Sequence, residues 1–298
     1  MQTLETISEM LETTGDIQSI VRTMKALSAV SIRQYEQAEA AMSGYERTID
    51  LGLTALLTDR RSLGLSLPEA FEPEAAKDGL IVIGSDRGLC GRYNQIVTRA
   101  AEPHLGHRTA VLGAIGARAA ARLGASGHRV DRLFLQPGSV AGLRGLVQSV
   151  IVAVEGWTRD PGLSHVRVVH NRREGRSRAV PVTRDLLPIP EAHLRDLVAS
   201  GWPGRGLPFF RADPERLLSW LVRQRLFVVL YQALAEALAS EHATRLAAMQ
   251  NAERNIEERR EELNAAYRRK RQETITRELL DVVSGFEAVG GEEGEAER

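Results

Sequence analysis

The stretch that decides the fold runs from Asp213 to Val289 and reads DPERLLSWLVRQRLFVVLYQALAEALASEHATRLAAMQNAERNIEERREELNAAYRRKRQETITRELLDVVSGFEAV. It contains no proline after Pro214 and no glycine before Gly285. Asp213 followed by Pro214 is a typical helix start, because aspartate caps free N–H groups and proline fits the first turn. We therefore predict one helix over this stretch, about 110 Å long at ~1.5 Å per residue.

Residues 1–57 are predicted to form a second long helix. Apolar or small residues recur there at intervals of three and four, which is the spacing of a coiled-coil seam. The residues concerned are Leu4, Ile7, Leu11, Val21, Met24, Ser28, Tyr35, Ala38, Met42, Tyr45, Ile49, Leu53 and Leu56. Gly15 lies inside this helix and weakens it by ~1 kcal/mol relative to alanine, so we expect a kink or break near Thr14–Asp16.

The C-terminal stretch carries a matching seam. Met249, Ile256 and Leu263 lie one heptad apart, with Ala252 and Ala266 at intermediate positions. A helix of this length does not fit the core of a compact domain of this size. The economical arrangement pairs the two ends of the chain as an antiparallel coiled coil, which forms a shaft.

The middle of the chain has a different spacing of apolar residues. Prolines and acidic residues mark a linker over 58–78, and short apolar runs then alternate with helical patterns over 79–208. Strands are predicted at 80–83, 109–112, 132–135, 166–169 and 179–182, and helices at 94–102, 114–123 and 140–154. This alternation predicts a Rossmann-like α/β domain with a largely parallel sheet, inserted between the shaft helices. Residues 185–208 are predicted as a loop, 209–289 as the C-terminal shaft helix, and 290–298 as a disordered acidic tail.

Composition excludes several classes of protein. The formal net charge is +0, from 39 basic and 39 acidic residues, which argues against nucleic acid as the main partner. Cys90 is the single cysteine, so an intrachain disulfide and a cysteine-rich zinc site are excluded. The polar start is no signal peptide, and we expect no apolar run to reach the ~20 residues needed to span a bilayer. Membrane contact is expected through partners.

Candidate catalytic and ligand-binding motifs are weak. Gly84–Gly91 follows a strand, but it matches neither the P-loop nor the dinucleotide-binding pattern. Cys90 is predicted to be a small buried residue rather than a nucleophile. His104 and His107 have no obvious third metal ligand. We expect no cofactor, no metal site and no catalytic set.

Arginine clusters leave two interpretations open. Arg172–Arg178 contains four arginines and suits either a nucleic-acid patch or an exposed hairpin-like loop, and Glu174 with the flanking strands favours the hairpin. The run Arg268-Arg269-Lys270-Arg271 suits either a solvated helix face or a partner contact.

Five segments, in order, resemble the gamma subunit of F-type ATP synthases, the central rotor shaft. They are Met24-Lys25 with Arg33; Ser85-Asp86-Arg87-Gly88-Leu89-Cys90-Gly91 with Asn94; Val168–Asn171; Leu230-Tyr231 with Ala239-Ser240-Glu241-His242-Ala243 and Arg245; and Tyr267 to Gly285. The resemblance spans nearly the whole chain. The usual basic run near the N-terminus is replaced by Glu12–Ile20, which is similar to the alternate, N-type branch of bacterial F-type ATPases.

The resemblance implies a non-catalytic rotor that couples ion flow through a membrane ring to ATP synthesis or hydrolysis in an α3β3 hexamer. It implies contacts with the α and β subunits, the epsilon subunit and the membrane c-ring, at the bacterial cytoplasmic face of the inner membrane. Expected α3β3 contacts are Met24, Lys25, Arg33, Arg245, Arg271, Gln272, Thr276, Glu278, Asp281, Val282 and Phe286. Expected structural residues, here called the signature loop, are Ser85, Asp86, Arg87, Gly88, Cys90, Gly91 and Asn94.

Two other functions compete with the rotor. A coiled-coil scaffold or tether would use its α/β domain to bind a protein partner and would form stable homo-oligomers. An α/β enzyme with a long helical arm would need a ligand pocket at the carboxyl ends of its strands.

Overall fold

The computed structural model describes residues 3–62, 77–160, 162–204, 206 and 208–295. The helices are α1 (Leu4–Ser62), α2 (Tyr93–Ala101), α3 (Ala117–Ala125), α4 (Leu143–Arg159), α5 (Glu191–Ser200) and α6 (Pro214–Glu295). The strands are β1 (Lys77–Ile83), β2 (Thr109–Ile115), β3 (Arg132–Phe134), β4 (Leu163–Glu174) and β5 (Arg178–Leu187). Asp213 caps α6 as predicted, since its Oδ2 accepts a hydrogen bond from the Arg216 N–H at 3.0 Å.

The five strands form one sheet in the order β3-β2-β1-β4-β5. β1 to β4 run parallel, and β5 returns antiparallel beside β4, so the predicted α/β class with a largely parallel sheet is confirmed. In β1, Leu80 and Val82 pack towards α2 and α3, whereas Ile81 and Ile83 pack towards α4 and α6. A central parallel strand is covered on both faces, which explains its continuous apolar run.

Several predicted boundaries were wrong. α1 continues through Gly15 without a break and ends at Ser62 rather than at 57. Ala114 and Ile115 belong to β2, not to the following helix, because a short apolar run does not distinguish a strand end from a helix start. The predicted loop over 185–208 contains the end of β5 and helix α5, whose N-cap is Pro190. Proline there bounds a helix instead of excluding one.

The end of α6 also differs from the prediction. The helix continues to Glu295, inside the segment predicted to be a disordered acidic tail. Glutamate, which is a strong helix former, occupies three of the six positions from 290 to 295, and glycine occupies the other three. Residues 296–298 of that predicted tail, and residues 63–76 of the predicted linker, lie outside the described residues.

The chain divides into two compact units, Met1–Ala26 with Met249–Arg298, and Leu27–Ala248. In the first unit, α1 pairs with α6 in antiparallel order: Gln18 contacts Arg260, and Lys25, further along α1, contacts the earlier residue Glu253. The most buried positions are Ile7, Gln18, Val21, Met249 and Leu263. The antiparallel coiled coil is therefore confirmed.

The seam of this unit differs from the predicted one. Gln18 of α1 is only 4% exposed. One heptad later on α1, Lys25 forms an ion pair with Glu253 of α6, whereas the predicted seam residue was its neighbour Met24. On α6, Glu253 and Arg260 contact α1 although neither was predicted as a seam residue. Polar seam positions are satisfied by the opposite helix, and such positions fix the register of a coiled coil. An apolar pattern cannot reveal them.

In the second unit, α6 passes through the core. Residues 233–241 are buried without interruption, and alanine occupies alternate positions from Ala233 to Ala239. Small side chains let the helix approach the sheet closely, so a helix that is buried all round is accommodated.

One helix contradicts the expectation about apolar runs. The segment Val140–Arg159, which includes α4, is long and apolar enough by length and composition to cross a membrane. Its Leu143, Val147, Val150 and Val154 side chains are fully buried in the core beside the sheet. Packing inside a domain accounts for this composition.

Candidate functional site

The signature loop is a closed hydrogen-bonded turn after β1. The Asn94 Oδ1 accepts from the Ser85 N–H at 2.9 Å, and the Asn94 amide donates to the Ser85 hydroxyl at 2.7 Å. The Ser85 hydroxyl donates to the Arg87 carbonyl at 2.8 Å. Cys90 is 2% exposed, and burial raises the pKa of its thiol, so it is a buried structural residue and not a nucleophile.

Asp86 ties this loop to the neighbouring strands and to α3. Its Oδ1 accepts from the Ala117 N–H at 2.8 Å, and its Oδ2 accepts from the Gln136 N–H at 2.6 Å. The Ser85 carbonyl accepts from the Arg118 N–H at 2.9 Å. The first turn of a helix leaves N–H groups without partners, and a carboxylate there is favoured by the helix dipole. The loop after β1 therefore caps α3.

A buried ion pair on α6 closes the loop from the other side. Glu241 and Arg245, one turn apart, are 3% and 5% exposed, and their charged groups meet at 2.6 Å. Gln136 donates to the second Glu241 oxygen at 2.8 Å and to the Gly84 carbonyl at 2.7 Å. Burial raises the pKa of Glu241, while Arg245 and Gln136 act in the opposite direction. One network thus joins β1, β3 and α6.

This placement changes the interpretation of Arg245. It was expected to contact the α3β3 hexamer, but its guanidinium is buried against Glu241 and reaches the Gly88 carbonyl at 3.4 Å. A buried, internally paired cation has little surface left for a partner. We therefore assign Arg245 to the network that holds the signature loop.

His242 lies beside this network. Its ring stacks on Tyr35 of α1, with centroids 5.7 Å apart and planes 16° from parallel. Burial, and to a smaller extent the nearby Arg245 and Arg87 cations, together lower the pKa of His242 to about 4. The imidazole is therefore neutral in the folded chain at neutral pH.

We expect acid to destabilise the chain partly through His242. Because its folded pKa is depressed, the contribution of its neutral form is present above the unfolded value of 6.5 and is lost as pH falls towards 4. Between pH 6.5 and 5 the loss from this group is about 2 kcal/mol. His242→Phe keeps an aromatic ring against Tyr35 and does not titrate. Urea unfolding at both pH values should show a shallower pH dependence for the variant, and parallel pH profiles would contradict this assignment.

The point where the strand order reverses, between β1 and β4, is where an α/β enzyme holds a ligand. Here Tyr93 fills it: its hydroxyl donates to the Ala237 carbonyl at 2.8 Å, and its own carbonyl accepts from the Asn171 amide at 3.0 Å. Next to them, the His170 Nε2 donates to the buried Glu236 carboxylate at 2.7 Å. Side chains and α6 occupy this crevice, which leaves the enzyme alternative without its pocket there.

One further groove lies away from the carboxyl ends of the strands. A groove of about 750 Å³ opens between α1, α4 and α6, with Tyr45, Phe227 and Tyr231 in its wall. The described residues contain no group of three or more His, Cys, Asp or Glu side chains able to hold a metal ion. The His104 Nε2 and the Thr183 hydroxyl form a hydrogen bond of 3.2 Å, and His104 is half-buried.

The second candidate site is the exposed end of α6. Five large apolar side chains there are 46–62% exposed, namely Ile275, Leu279, Leu280, Val282 and Val283. By the register of the Gln18–Arg260 contact, the start of α1 lies near Thr274, so the later turns of α6 extend beyond it. An exposed apolar stripe of this kind indicates a partner surface.

The structure places most predicted α3β3 contacts on accessible surfaces. Arg33 is exposed on α1, and Met24 and Lys25 are half-buried. On α6 the exposed candidates are Arg271, Gln272, Thr276, Glu278, Asp281 and Val282. The Phe286 side chain lies outside the described residues.

Gln136 and Glu236 were not predicted to belong to the site, and Tyr35 was predicted only as a seam residue of α1. Gln136 follows β3 just as Asp86 follows β1, so its position at the carboxyl end of a parallel strand was an available signal. Glu236 was hidden inside an alanine-rich helical run. No local feature distinguishes Tyr35 from other seam residues.

The comparisons with known proteins agree with this architecture. The family model described as ATP synthase matches residues 3–289. The ATP synthase gamma chain of Granulibacter bethesdensis is 30% identical and covers 97% of this chain and 100% of its own length. That of Bdellovibrio bacteriovorus is 28% identical and covers 98% of this chain and 100% of its own length.

Solved structures share the fold. The rotor of the Euglena gracilis mitochondrial ATP synthase in rotational state 1 covers 91% of this chain and 98% of its own, at 18% identity and a TM-score of 0.59. A chain of the OSCP/F1/c-ring structure of the same enzyme, in rotational state 3, covers 96% and 94%, at 17% identity and a TM-score of 0.62. On these matches, together with the buried signature loop and the coiled coil, the chain belongs to the family of ATP synthase gamma chains.

Proposed function

We propose that this chain is the central rotor stalk that couples ion flow through a membrane ring to ATP synthesis or hydrolysis in an α3β3 hexamer. The observation that carries the proposal is the apolar stripe at the end of α6, exposed by 46–62%. A surface of this kind is costly in water and needs a partner. The related chains are ATP synthase gamma chains, and a chain of similar fold belongs to the rotor of a mitochondrial ATP synthase.

The stalk acts mechanically and performs no catalysis itself. Catalysis belongs to the surrounding hexamer, whose three αβ pairs each meet a different face of an asymmetric helix. In each rotational position the stalk contacts the three αβ pairs differently. Each pair is therefore held in a different conformation with a different affinity for nucleotide. Transmission of torque requires stiffness, and the antiparallel coil with matched polar seam contacts supplies it.

The contacts are divided by chemistry. An apolar sleeve around Leu279, Val282 and Val283 permits rotation, because contacts without directional hydrogen bonds do not fix one angle. Exposed polar residues of α6 between Arg271 and Asp281 supply contacts that depend on the rotational angle. The α/β domain contacts the epsilon subunit and the c-ring, so the chain is peripheral at the cytoplasmic face of a bacterial inner membrane.

Co-expression with the α and β subunits tests this function. We expect native mass spectrometry to give one copy of this chain per α3β3, with multi-site ATPase activity that depends on it. Stable homo-oligomers of this chain and no hexamer complex would favour the scaffold alternative and reject the rotor.

Leu279→Asp with Val283→Asp should disrupt assembly. Each buried apolar side chain of this size contributes about 1.5–3 kcal/mol, so the yield of complex should fall at least ~10-fold. Val152→Asp is the matched control, since Val152 is 61% exposed on α4 and lies outside the stripe. Size-exclusion chromatography with subunit quantification measures the yield, and equal yields for both variants would remove the stripe from the interface.

A further inference from the structure

The arginine hairpin, residues Arg172–Arg178, plays no part in the contacts described above. It consists of the end of β4, a turn at residues 175–177 and the start of β5, and it carries four arginines and one glutamate. In the described part of the chain, the Arg172 and Arg176 side chains form no hydrogen bond or ion pair, and both are exposed. Arg178 pairs with Glu174 at 3.2 Å on the surface, where both side chains are more than half exposed. Such exposed pairs are weak.

The base of the hairpin is fixed while its tip is open. Arg173 pairs with Glu36 of α1, and the Asn171 amide donates to the Tyr93 carbonyl at 3.0 Å. His170, the buried residue of β4 directly before Asn171, is hydrogen-bonded to Glu236 of α6. A charged surface on a rigid base loses less entropy on binding than one on a mobile loop.

Helix α2 extends the positive charge across the sheet edge. Arg92, Ile96 and Arg99 are spaced four and three residues apart, so they lie on one face of the helix. They line a groove of about 330 Å³ together with Pro181 of β5. Pro181 pairs with Asn171 in the strand ladder, directly before the hairpin arginines. The basic surface therefore consists of Arg92, Arg99, Arg172, Arg176 and Arg178.

We propose that this basic surface docks an Asp/Glu-rich segment of a protein subunit assembled with this chain. Guanidinium groups bind carboxylates with two parallel hydrogen bonds, and this surface presents at least two that are unpaired. A protein segment fits better than nucleic acid, because the chain as a whole has a net charge of +0 and the groove includes apolar Ile96 and Pro181. The inference rests on the proposed function, since it assigns the chemistry of one contact within that complex.

Zero-length cross-linking tests it directly. A carbodiimide joins a lysine amine to a carboxylate only when the two are in ion-pair contact, and lysine occurs in this chain only at Lys25, Lys77 and Lys270. Arg176→Lys keeps the positive charge and adds one amine at the hairpin tip. In the complete complex, co-expressed with the α, β, epsilon and c-ring subunits, mass spectrometry should find that amine linked to an aspartate or glutamate of another subunit.

Arg122→Lys on α3 is the control, because Arg122 is exposed and lies outside the basic surface. We expect at least fivefold less intersubunit linkage from that variant. A complete complex in which Arg176→Lys gives only a link within the chain, no link, or no more linkage than the control would overturn this inference and leave the rotor intact. Failure of the wild-type complex to assemble would reject the proposed function and this inference with it. Retention of RNA or DNA at the hairpin in place of a subunit link would also overturn it.

Discussion

Arg245→Met is expected to lower the free energy of unfolding by about 3–5 kcal/mol, the range found when one partner of a buried ion pair is removed. Glu241 is 3% exposed, and its charge is balanced by the Arg245 guanidinium at 2.6 Å. Methionine fills most of the volume but leaves the carboxylate with Gln136 alone. Urea unfolding of the purified chain, followed by circular dichroism at pH 7.5, measures the loss.

The pH dependence of this variant distinguishes charge from packing. Burial already raises the pKa of Glu241, and removing the cation raises it further. A carboxyl group whose folded pKa exceeds its unfolded value loses stability as pH rises between the two. The defect should therefore be smaller at pH 5 than at pH 8. Glu241→Gln combined with Arg245→Met should recover part of the loss, because no charge is then buried. A double variant less stable than Arg245→Met, with no pH dependence, would show that packing dominates.

Gly116→Ala is expected to cost about 3 kcal/mol, from strain of ~1–2 kcal/mol and overpacking of ~1–3 kcal/mol. Gly116 has φ +105, and an added Cβ would lie 2.8 Å from backbone atoms of Gly84 and Ser85. Backbone cannot yield as a flexible side chain does. The substitution therefore pushes the end of β2 away from the signature loop. Thermal and urea unfolding of the chain measure the cost.

Two other glycines separate the causes. Gly127 has φ +86 but nothing within 4 Å of an added Cβ, so Gly127→Ala reports strain alone and should cost about 1 kcal/mol. Gly124 lies within α3 with open space, so Gly124→Ala should be neutral or stabilise by ~0.5 kcal/mol. Equal losses for Gly116→Ala and Gly127→Ala would mean that the close approach to Gly84 and Ser85 is unimportant.

Local features of the sequence determined the long helices and the fold class. A proline at the start of α6 and the lack of glycine before Gly285 are properties of neighbouring residues, and so is the alternation of apolar strands with helices. The signature motifs were likewise readable, because the close turn after β1 demands particular residues in a short segment. Accordingly the antiparallel coil, the parallel sheet and the family could be predicted without coordinates.

The tertiary structure alone decided which polar residues are internal. Gln18 and Arg260 meet across 242 positions of sequence, and Gln136 reaches Glu241 across 105. Apolar periodicity treats such residues as surface, so it left Gln18 and Arg260 out of the predicted seam. The expected contact of Arg245 with the hexamer came from the family resemblance, which does not reveal that the guanidinium is buried beside Glu241. Burial of a charge depends on a partner brought close by the fold, and no local pattern contains that partner. The sequence thus determined the fold class and the two long helices, while packing decided which charges became structural and which remained exposed for other subunits.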